Sequence, residues 1–178
     1  KQIAYNNLLI KYTDLERIAQ IDCDTYVTMP NATEVIKSMS GPINMDYAHD
    51  KTVDNLIKHR NGQLFGNNAC FGINRYTHRK CRYNAFRDFL KISHDIDLDT
   101  LLDLVERKHA PCGFFYVLHP KELPKEFFKF LSIFNFFFQD DEVAIALAEV
   151  YFDIKVPIES RTQVRDIKFG ASVTEEIK

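Results

Sequence analysis

The chain has 178 residues, a formal net charge of −2, and 46% hydrophobic and 27% charged residues. This size and composition favour one globular domain covering residues 1–178, and they exclude a disordered chain. The longest apolar stretch, residues 127–138, contains three polar residues and is shorter than the roughly 20 residues of a membrane-spanning helix. We therefore expect no membrane span. The nearly balanced charge excludes a polybasic coat protein and an acidic mimic of nucleic acid.

Four cysteines, Cys23, Cys70, Cys81 and Cys112, are spread along the chain. A core of this size does not need disulfide bonds, so free thiols in a reducing compartment are expected. The first seven residues lack the apolar core of a secretory signal. The sequence therefore predicts an intracellular, cytoplasmic protein.

Hydrophobic spacing predicts short elements in the first half of the chain. Residues 13–16 have the Thr-x-x-Glu pattern of a capping box and predict a short helix. The period-two pattern of residues 21–29 predicts a strand. Helix starts are expected at residue 31 and over residues 50–60, whereas residues 61–74 are rich in glycine and asparagine and predict a loop.

The second half is dominated by predicted helices. Apolar side chains recur at helical spacing over residues 83–92 and 97–108. The short apolar run at residues 113–119 predicts a buried strand, and the alanine-rich residues 143–149 predict a short helix. Residues 125–139 predict a Phe-rich helix whose polar residues form one narrow stripe. That helix is interpreted as a core helix with one solvated edge, the alternative being a partner-binding face.

The C-terminal region shows strict alternation of apolar and polar residues. Residues 150–158 place five apolar side chains on one face, and residues 164–173 repeat the pattern. The connecting residues 159–163 suit the turn of an antiparallel hairpin. The expected fold is therefore α+β, with several helices around a small antiparallel sheet and a C-terminal β-hairpin.

A doublet of His-x-x-Cys sequences is the first candidate site. Two ligands three positions apart can bind one ion from a turn, and two such pairs complete a tetrahedral Cys2His2 shell. We predict a structural zinc ion on His78, Cys81, His109 and Cys112. The alternative is four unrelated side chains, since the usual zinc-knuckle Cys-x-x-Cys is absent.

The second candidate is a basic segment, residues 75–91, that has six Lys or Arg and one acidic residue. Cations interleaved with aromatic rings can neutralise phosphates and stack on bases. The residues assigned to nucleic-acid contact are Arg75, Tyr76, Arg79, Lys80, Arg82, Tyr83, Arg87 and Lys91. The alternative is a solvated charged face, neutralised by the four aspartates of residues 95–103.

Two weaker patterns suggest catalysis. Cys70 follows the Gly-rich loop, and His119 ends an apolar run, the order of nucleophile and base in a thiol hydrolase. Asp22 and Asp24 alternate along a predicted strand, as in a two-metal site. The inert interpretations are a buried thiol and two exposed acids.

The leading hypothesis is a small intracellular nucleic-acid-binding protein that uses the basic segment, stabilised by the structural zinc ion. The second is a non-enzymatic subunit of a larger assembly or homo-oligomer, associating through the hairpin and the Phe-rich helix. The third is a cysteine hydrolase using Cys70 and His119. No Gly-x-Gly-x-x-Gly, P-loop or Gly-x-Ser-x-Gly sequence is present, which argues against dinucleotide-dependent oxidoreductases, P-loop nucleotidases and α/β-hydrolases.

Overall fold

A computed structural model describes residues 14–22, 25–55, 77–105, 108–138 and 140–171, with only the backbone described for 48–51, 77–82 and 171. The strands are β1 (Ile18–Ile21), β2 (Thr25–Val27), β3 (Ile43–Thr52), β4 (His109–Leu118) and β5 (Phe169–Ala171). The helices are α1 (Ala32–Ser38), α2 (Thr77–His94), α3 (Leu98–Val105), α4 (Phe127–Phe138), α5 (Asp141–Tyr151) and α6 (Ile158–Asp166).

The strands form two small antiparallel sheets. In the first, β4 lies between β1 and β3, in the order β1-β4-β3. In the second, β2 pairs with β5. The register of β3 against β4 shifts on both sides of Tyr47, so the pairing of these two strands is irregular there. The predicted α+β class, with helices around a small antiparallel sheet, is confirmed.

Strand β4 is buried on both faces, because successive side chains of a strand point to opposite sides of the sheet. Tyr116 and Leu118 belong to the larger apolar cluster, together with residues of α3, α4 and α5. Phe115 and Val117 belong to a second cluster, with residues of α1 and α6. Helices therefore cover both faces of the sheet, which explains why β4 is a continuous apolar run rather than an alternating one.

Helix α4 is the Phe-rich segment of the larger cluster. Its buried residues are Phe127, Phe128, Phe130, Leu131, Phe134, Phe137 and Phe138. Phe136 is 78% exposed, and the polar residues of this helix also lie toward the surface. The prediction of a core helix with one solvated edge is confirmed.

Helix α5 has well-defined ends. Asp140 caps it, since its carboxylate accepts a hydrogen bond of 3.0 Å from the Val143 backbone N–H. Asp153 adopts a left-handed conformation with φ of 51° just after the helix. The Ile154 N–H donates to the Glu149 carbonyl at 2.8 Å, so the chain leaves α5 in a tight turn.

The predicted C-terminal hairpin is wrong. Helix α5 continues to Tyr151, and the predicted turn, residues 159–163, lies inside α6. Pro157 has no backbone N–H and a fixed φ, so it suits a helix start better than a strand interior. The alternation over residues 152–156 does mark which side chains are more buried, although residues 152–153 form a turn and residues 154–157 belong to no helix or strand. Strand β5 pairs with β2 instead.

Other elements follow the sequence predictions to different degrees. The helices expected at residues 31, 83–92, 97–108 and 143–149, and the strand expected at residues 113–119, are present with shifted ends. Of the strand predicted over residues 21–29, the structure has β2 (Thr25–Val27), while Ile21 is the last residue of β1 and residues 23–24 lie outside the described part. No helix follows residue 13, because residues 14–17 lead directly into β1.

The helix predicted over residues 50–60 is only partly described. Strand β3 runs to Thr52, whose hydroxyl accepts a hydrogen bond from the Asn55 N–H where a helical turn begins. Residues 56–60, the predicted loop 61–74 and Thr13 lie outside the described residues. Among the described helices, none combines the length and apolar character needed to cross a membrane.

The buried face of α4 gives a test of this core. The substitution Phe134→Ala removes a fully buried ring and is expected to lower the free energy of unfolding by about 3–5 kcal/mol. The matched control Phe136→Ala removes the exposed ring of the same helix and is expected to change it by less than about 0.5 kcal/mol. Urea denaturation measures both, and equal losses would contradict this packing.

Candidate functional site

A cavity of about 360 Å³ lies at the end of the sheet where β4 begins. Its volume is in the lower part of the range for small-molecule sites. Most of its lining side chains are ionisable, which is unusual beside an apolar core. The lining residues are Tyr47, Lys108, His109, Glu149, Ile154, Lys155, Val156 and Arg161.

Helix α6 packs against β3 and brings one wall of the cavity into place. Arg165 of α6 makes a two-point ion pair with Asp46 of β3, with N···O distances of 2.8 and 2.6 Å. One helical turn earlier, the guanidinium of Arg161 lies 4.5 Å from the ring centroid of Tyr47. This is a cation–π arrangement that fixes Arg161 at the cavity.

Glu149 is the buried carboxyl group of the site. It projects from the last turns of α5 and is 6% exposed. The Tyr47 hydroxyl lies 2.8 and 2.9 Å from its two carboxylate oxygens and donates to them. Burial raises the pKa of Glu149 to about 7, although the Tyr47 hydrogen bond and the nearby charges of Lys108 and Arg161 act in the opposite direction.

The hydroxyl of Tyr47 is affected by the same environment. Burial, followed by the charge of Glu149, raises the pKa of Tyr47 well above its usual value, so the hydroxyl keeps its proton and acts as a donor. Glu149 can therefore accept or release a proton near neutral pH while Tyr47 cannot. A carboxyl group of this kind is common where proteins bind ligands or transfer protons.

Cationic side chains line the rest of the cavity. Lys108 and Lys155 are exposed at its mouth, and Arg161 is partly buried. Within the described part of the chain, neither lysine ammonium group makes an ion pair of 4.0 Å or less, while Glu149 is the only carboxylate among the lining residues. The described lining of the cavity therefore carries positively charged side chains and one buried acid.

Sequence reasoning missed this site. Tyr47 and Glu149 are separated by 102 positions, and neither belongs to a recognisable motif. The available signal is Glu149 itself, the acidic residue that ends the apolar run from Val143. An acid on a helix that is buried almost all round requires a partner, but the sequence does not identify that partner.

The basic segment is partly described. Arg75 and Tyr76 lie outside the described residues, and residues 77–82 are placed in α2 without described side chains. That group includes the predicted contacts Arg79, Lys80 and Arg82. The helix begins earlier than the apolar spacing indicates, and it runs without a break to His94.

The three described members of the basic segment contact acidic residues. The Tyr83 hydroxyl donates to Asp99, and burial together with this bond raises the pKa of Tyr83. Arg87 lies 3.8 Å from Asp99, and the Lys91 ammonium donates to Asp95 at 2.7 Å. The acidic segment therefore folds back on this end of the basic segment, as the solvated-face interpretation expects.

The zinc prediction is not tested, because the side chains of His78 and Cys81 lie outside the described residues. His109 and Cys112 are not in a turn but in β4. The spacing prediction assumed a turn, and this part of β4 is instead paired irregularly with β3. Among the described residues, no group of three or more metal-ligating side chains is assembled.

His119, the proposed hydrolase base, is buried just after β4. Its Nδ1 lies 3.2 Å from the Glu122 carboxylate, and it borders a second cavity of about 200 Å³ with Arg17 and Lys121. Cys70, the proposed nucleophile, lies outside the described residues, as does Asp24 of the two-acid pattern. Both catalytic hypotheses stay predictions.

The assembly hypothesis proposed association through the C-terminal hairpin and the Phe-rich helix, and the hairpin does not form. The other proposed surface, helix α4, buries most of its phenylalanines in the core, and Phe136 is its exposed ring.

Comparison of the chain with protein-family models, curated proteins and solved structures finds no match.

The raised pKa of Glu149 predicts a pH-dependent stability. Between pH 4.5 and about 7 the unfolded chain ionises this group while the folded protein keeps it protonated, so the folded state loses relative stability as pH rises. Glu149→Gln removes this ionisation but keeps a hydrogen-bond acceptor for Tyr47. Wild type therefore loses stability as pH rises, whereas the variant does not. We expect the difference in unfolding free energy, variant minus wild type, to grow by about 2–3 kcal/mol between pH 5 and 8.

Urea denaturation at several pH values measures this difference. Tyr47→Phe serves as a companion variant, because loss of the hydroxyl hydrogen bond raises the pKa of Glu149 further. In this variant the fall in stability should continue to a higher pH than in wild type. Parallel pH profiles for wild type and Glu149→Gln would contradict the assignment.

Proposed function

We propose that the cavity around Glu149 is a binding site for a small anionic ligand. The observation that carries this proposal is the convergence of Lys108, Lys155 and Arg161 on one cavity, with no surface ion pair neutralising the two lysines within the described chain. Charge-assisted hydrogen bonds from such groups to anionic oxygens are among the strongest that proteins make. Arg87 and Lys91 show the contrasting arrangement, since their charges are neutralised by ion pairs at the surface.

The lining also restricts the ligand. Ile154, Val156 and the ring of Tyr47 provide an apolar wall, which suits the organic part of a phosphate ester, a sulfate ester or a small dicarboxylate. Three cations exceed what a monoanion needs. We therefore favour a dianionic group at the mouth, where the lysines are exposed, with the organic part directed toward the apolar wall.

Sulfate is a suitable probe of this site because its charge is constant over the working pH range. We expect sulfate to shift the NMR signals of residues around the cavity in a saturable manner. Lys108→Gln and Arg161→Gln are each expected to weaken binding by about tenfold or more, since each removes a charge-assisted hydrogen bond. Lys37→Gln, an exposed lysine at the end of α1, is the matched control and is expected to leave binding unchanged.

If Lys108→Gln and Lys37→Gln weaken sulfate binding equally, the affinity depends only on the net charge of the protein. That result would contradict a defined binding site. The fold of each variant is checked by its own unfolding curve, so that a loss of binding is compared only among folded proteins.

Nucleic-acid binding through the basic segment is a second candidate. One observation favours it: α2 is continuous over residues 77–94, and positions 80, 87 and 91 of a continuous helix lie on one face. The ion pairs of Arg87 and Lys91 lie at the surface, where such pairs contribute at most about 1 kcal/mol, so phosphates can replace the carboxylates. A zinc ion on the two His-x-x-Cys pairs remains part of this hypothesis only.

The triple variant Arg79→Glu, Lys80→Glu and Arg82→Glu tests this candidate. If the segment contacts phosphates, the variant loses binding to labelled single-stranded RNA, single-stranded DNA or duplex DNA, and the salt dependence becomes shallower by about 0.7–0.9 per contact removed. Fluorescence anisotropy over a salt series measures both.

A second triple variant, Lys37→Glu, Lys125→Glu and Lys168→Glu, changes the net charge equally at exposed positions outside the segment. Similar losses from both triple variants would indicate nonspecific attraction and contradict a contact surface on α2.

A further inference from the structure

The anion-binding cavity contains a feature that a simple anion site does not need. Glu149 is nearly fully buried beside the cavity, and among the described residues that line the cavity it is the only carboxylate. In its ionised form it would repel an incoming anion, with little water to screen the repulsion. Either this carboxylate weakens binding, or it becomes neutral when the ligand binds.

The groups that face Glu149 favour the second outcome. Tyr47 of β3 donates to it, and in the empty site the charges of Lys108 and Arg161 favour its ionised form. A bound anion would compete for these same cations, so the carboxylate would lose the interactions that oppose its protonation. The imidazole of His109 and the ammonium group of Lys155 also line the cavity.

We propose that anion binding in this cavity is coupled to the uptake of one proton by Glu149, so that the occupied site pairs a dianion with a neutral carboxylic acid. This inference rests on the proposed anion-binding function. The proton comes from solvent and forms an O–H bond on the Glu149 carboxylate, with no other bond made or broken. The protonated group can then donate its own hydrogen bond, either to the ligand or to the Tyr47 oxygen.

Proton-coupled binding makes the affinity depend on pH in a defined direction. Because the pKa of Glu149 is about 7 in the empty site, the group is mostly ionised at pH 8 and has to be protonated when the ligand binds. The affinity for sulfate is therefore expected to fall as pH rises above 7, approaching tenfold per pH unit. Below pH 6 the affinity should level off, since Glu149 is then already neutral.

Isothermal titration calorimetry with sulfate at pH 8, in two buffers of different ionisation enthalpy, counts the protons directly. We expect uptake of about 0.5–1 proton per sulfate bound in wild type. Glu149→Gln should bind sulfate with no proton uptake, and its affinity should not fall between pH 7 and 8.5. His109→Gln should retain the uptake, which distinguishes the carboxyl group from the imidazole.

The outcomes separate the two proposals. If sulfate does not bind wild type at any pH, the proposed function itself fails. If sulfate binds but the enthalpy is the same in both buffers, or if His109→Gln rather than Glu149→Gln abolishes the uptake, anion binding stands and the coupling to Glu149 is overturned. Should Glu149→Gln fail to fold, the pH dependence of sulfate affinity in wild type and in His109→Gln distinguishes the same outcomes.

Discussion

The burial of β4 on both faces is the constraint on which the rest of the structure depends. A strand at the centre of a three-stranded sheet, with apolar side chains on both sides, is stable only if helices cover both faces. The larger cluster, with α4 and α5, covers Tyr116 and Leu118, and the smaller cluster, with α1 and α6, covers Phe115 and Val117. Because α5 and α6 must lie on opposite faces, the chain between them crosses the end of the sheet. That crossing brings Glu149 and Arg161 to the same cavity.

The site contains an ionisable group, Glu149, whose burial lowers the stability of the folded protein when the carboxylate is ionised. An ionised carboxylate with 6% exposure is costly unless it is paired, and here one tyrosine hydroxyl and two nearby cations offset only part of that cost. Replacing Glu149 with an apolar residue would remove this cost, and under the proposed function the carboxyl group is retained for its part in ligand binding. The surface ion pairs of α2 show the opposite case, in which charges are satisfied by exposed neighbours and carry little free energy.

The sequence predicted elements well where one physical rule acted alone. The amphipathic stripe of residues 98–105 and the apolar run of 127–138 are helices because their patterns have no competing signal. The pattern misled at residues 150–158, where period-two alternation coincides with a helix end, a left-handed Asp153 and an irregular stretch before α6. Alternation reports which side chains are buried, but strand pairing also requires a neighbouring strand, and β2 rather than this segment pairs with β5.

The sequence by itself determined the α+β class, most of the helices and the buried strand β4, and it offered the contact between the acidic and basic segments as one of two interpretations. Each of these depends on periodicity or charge over a few neighbouring residues. Only the tertiary structure decided the sheet order, the replacement of the hairpin by α6, and the cavity in which Tyr47 contacts Glu149 and Arg161. Tyr47 lies 102 positions before Glu149, and the residue types that meet there, one tyrosine, one glutamate and one arginine, carry no local signal. Their meeting follows from how helices cover the two faces of one strand, which is a property of packing and not of any short stretch of sequence.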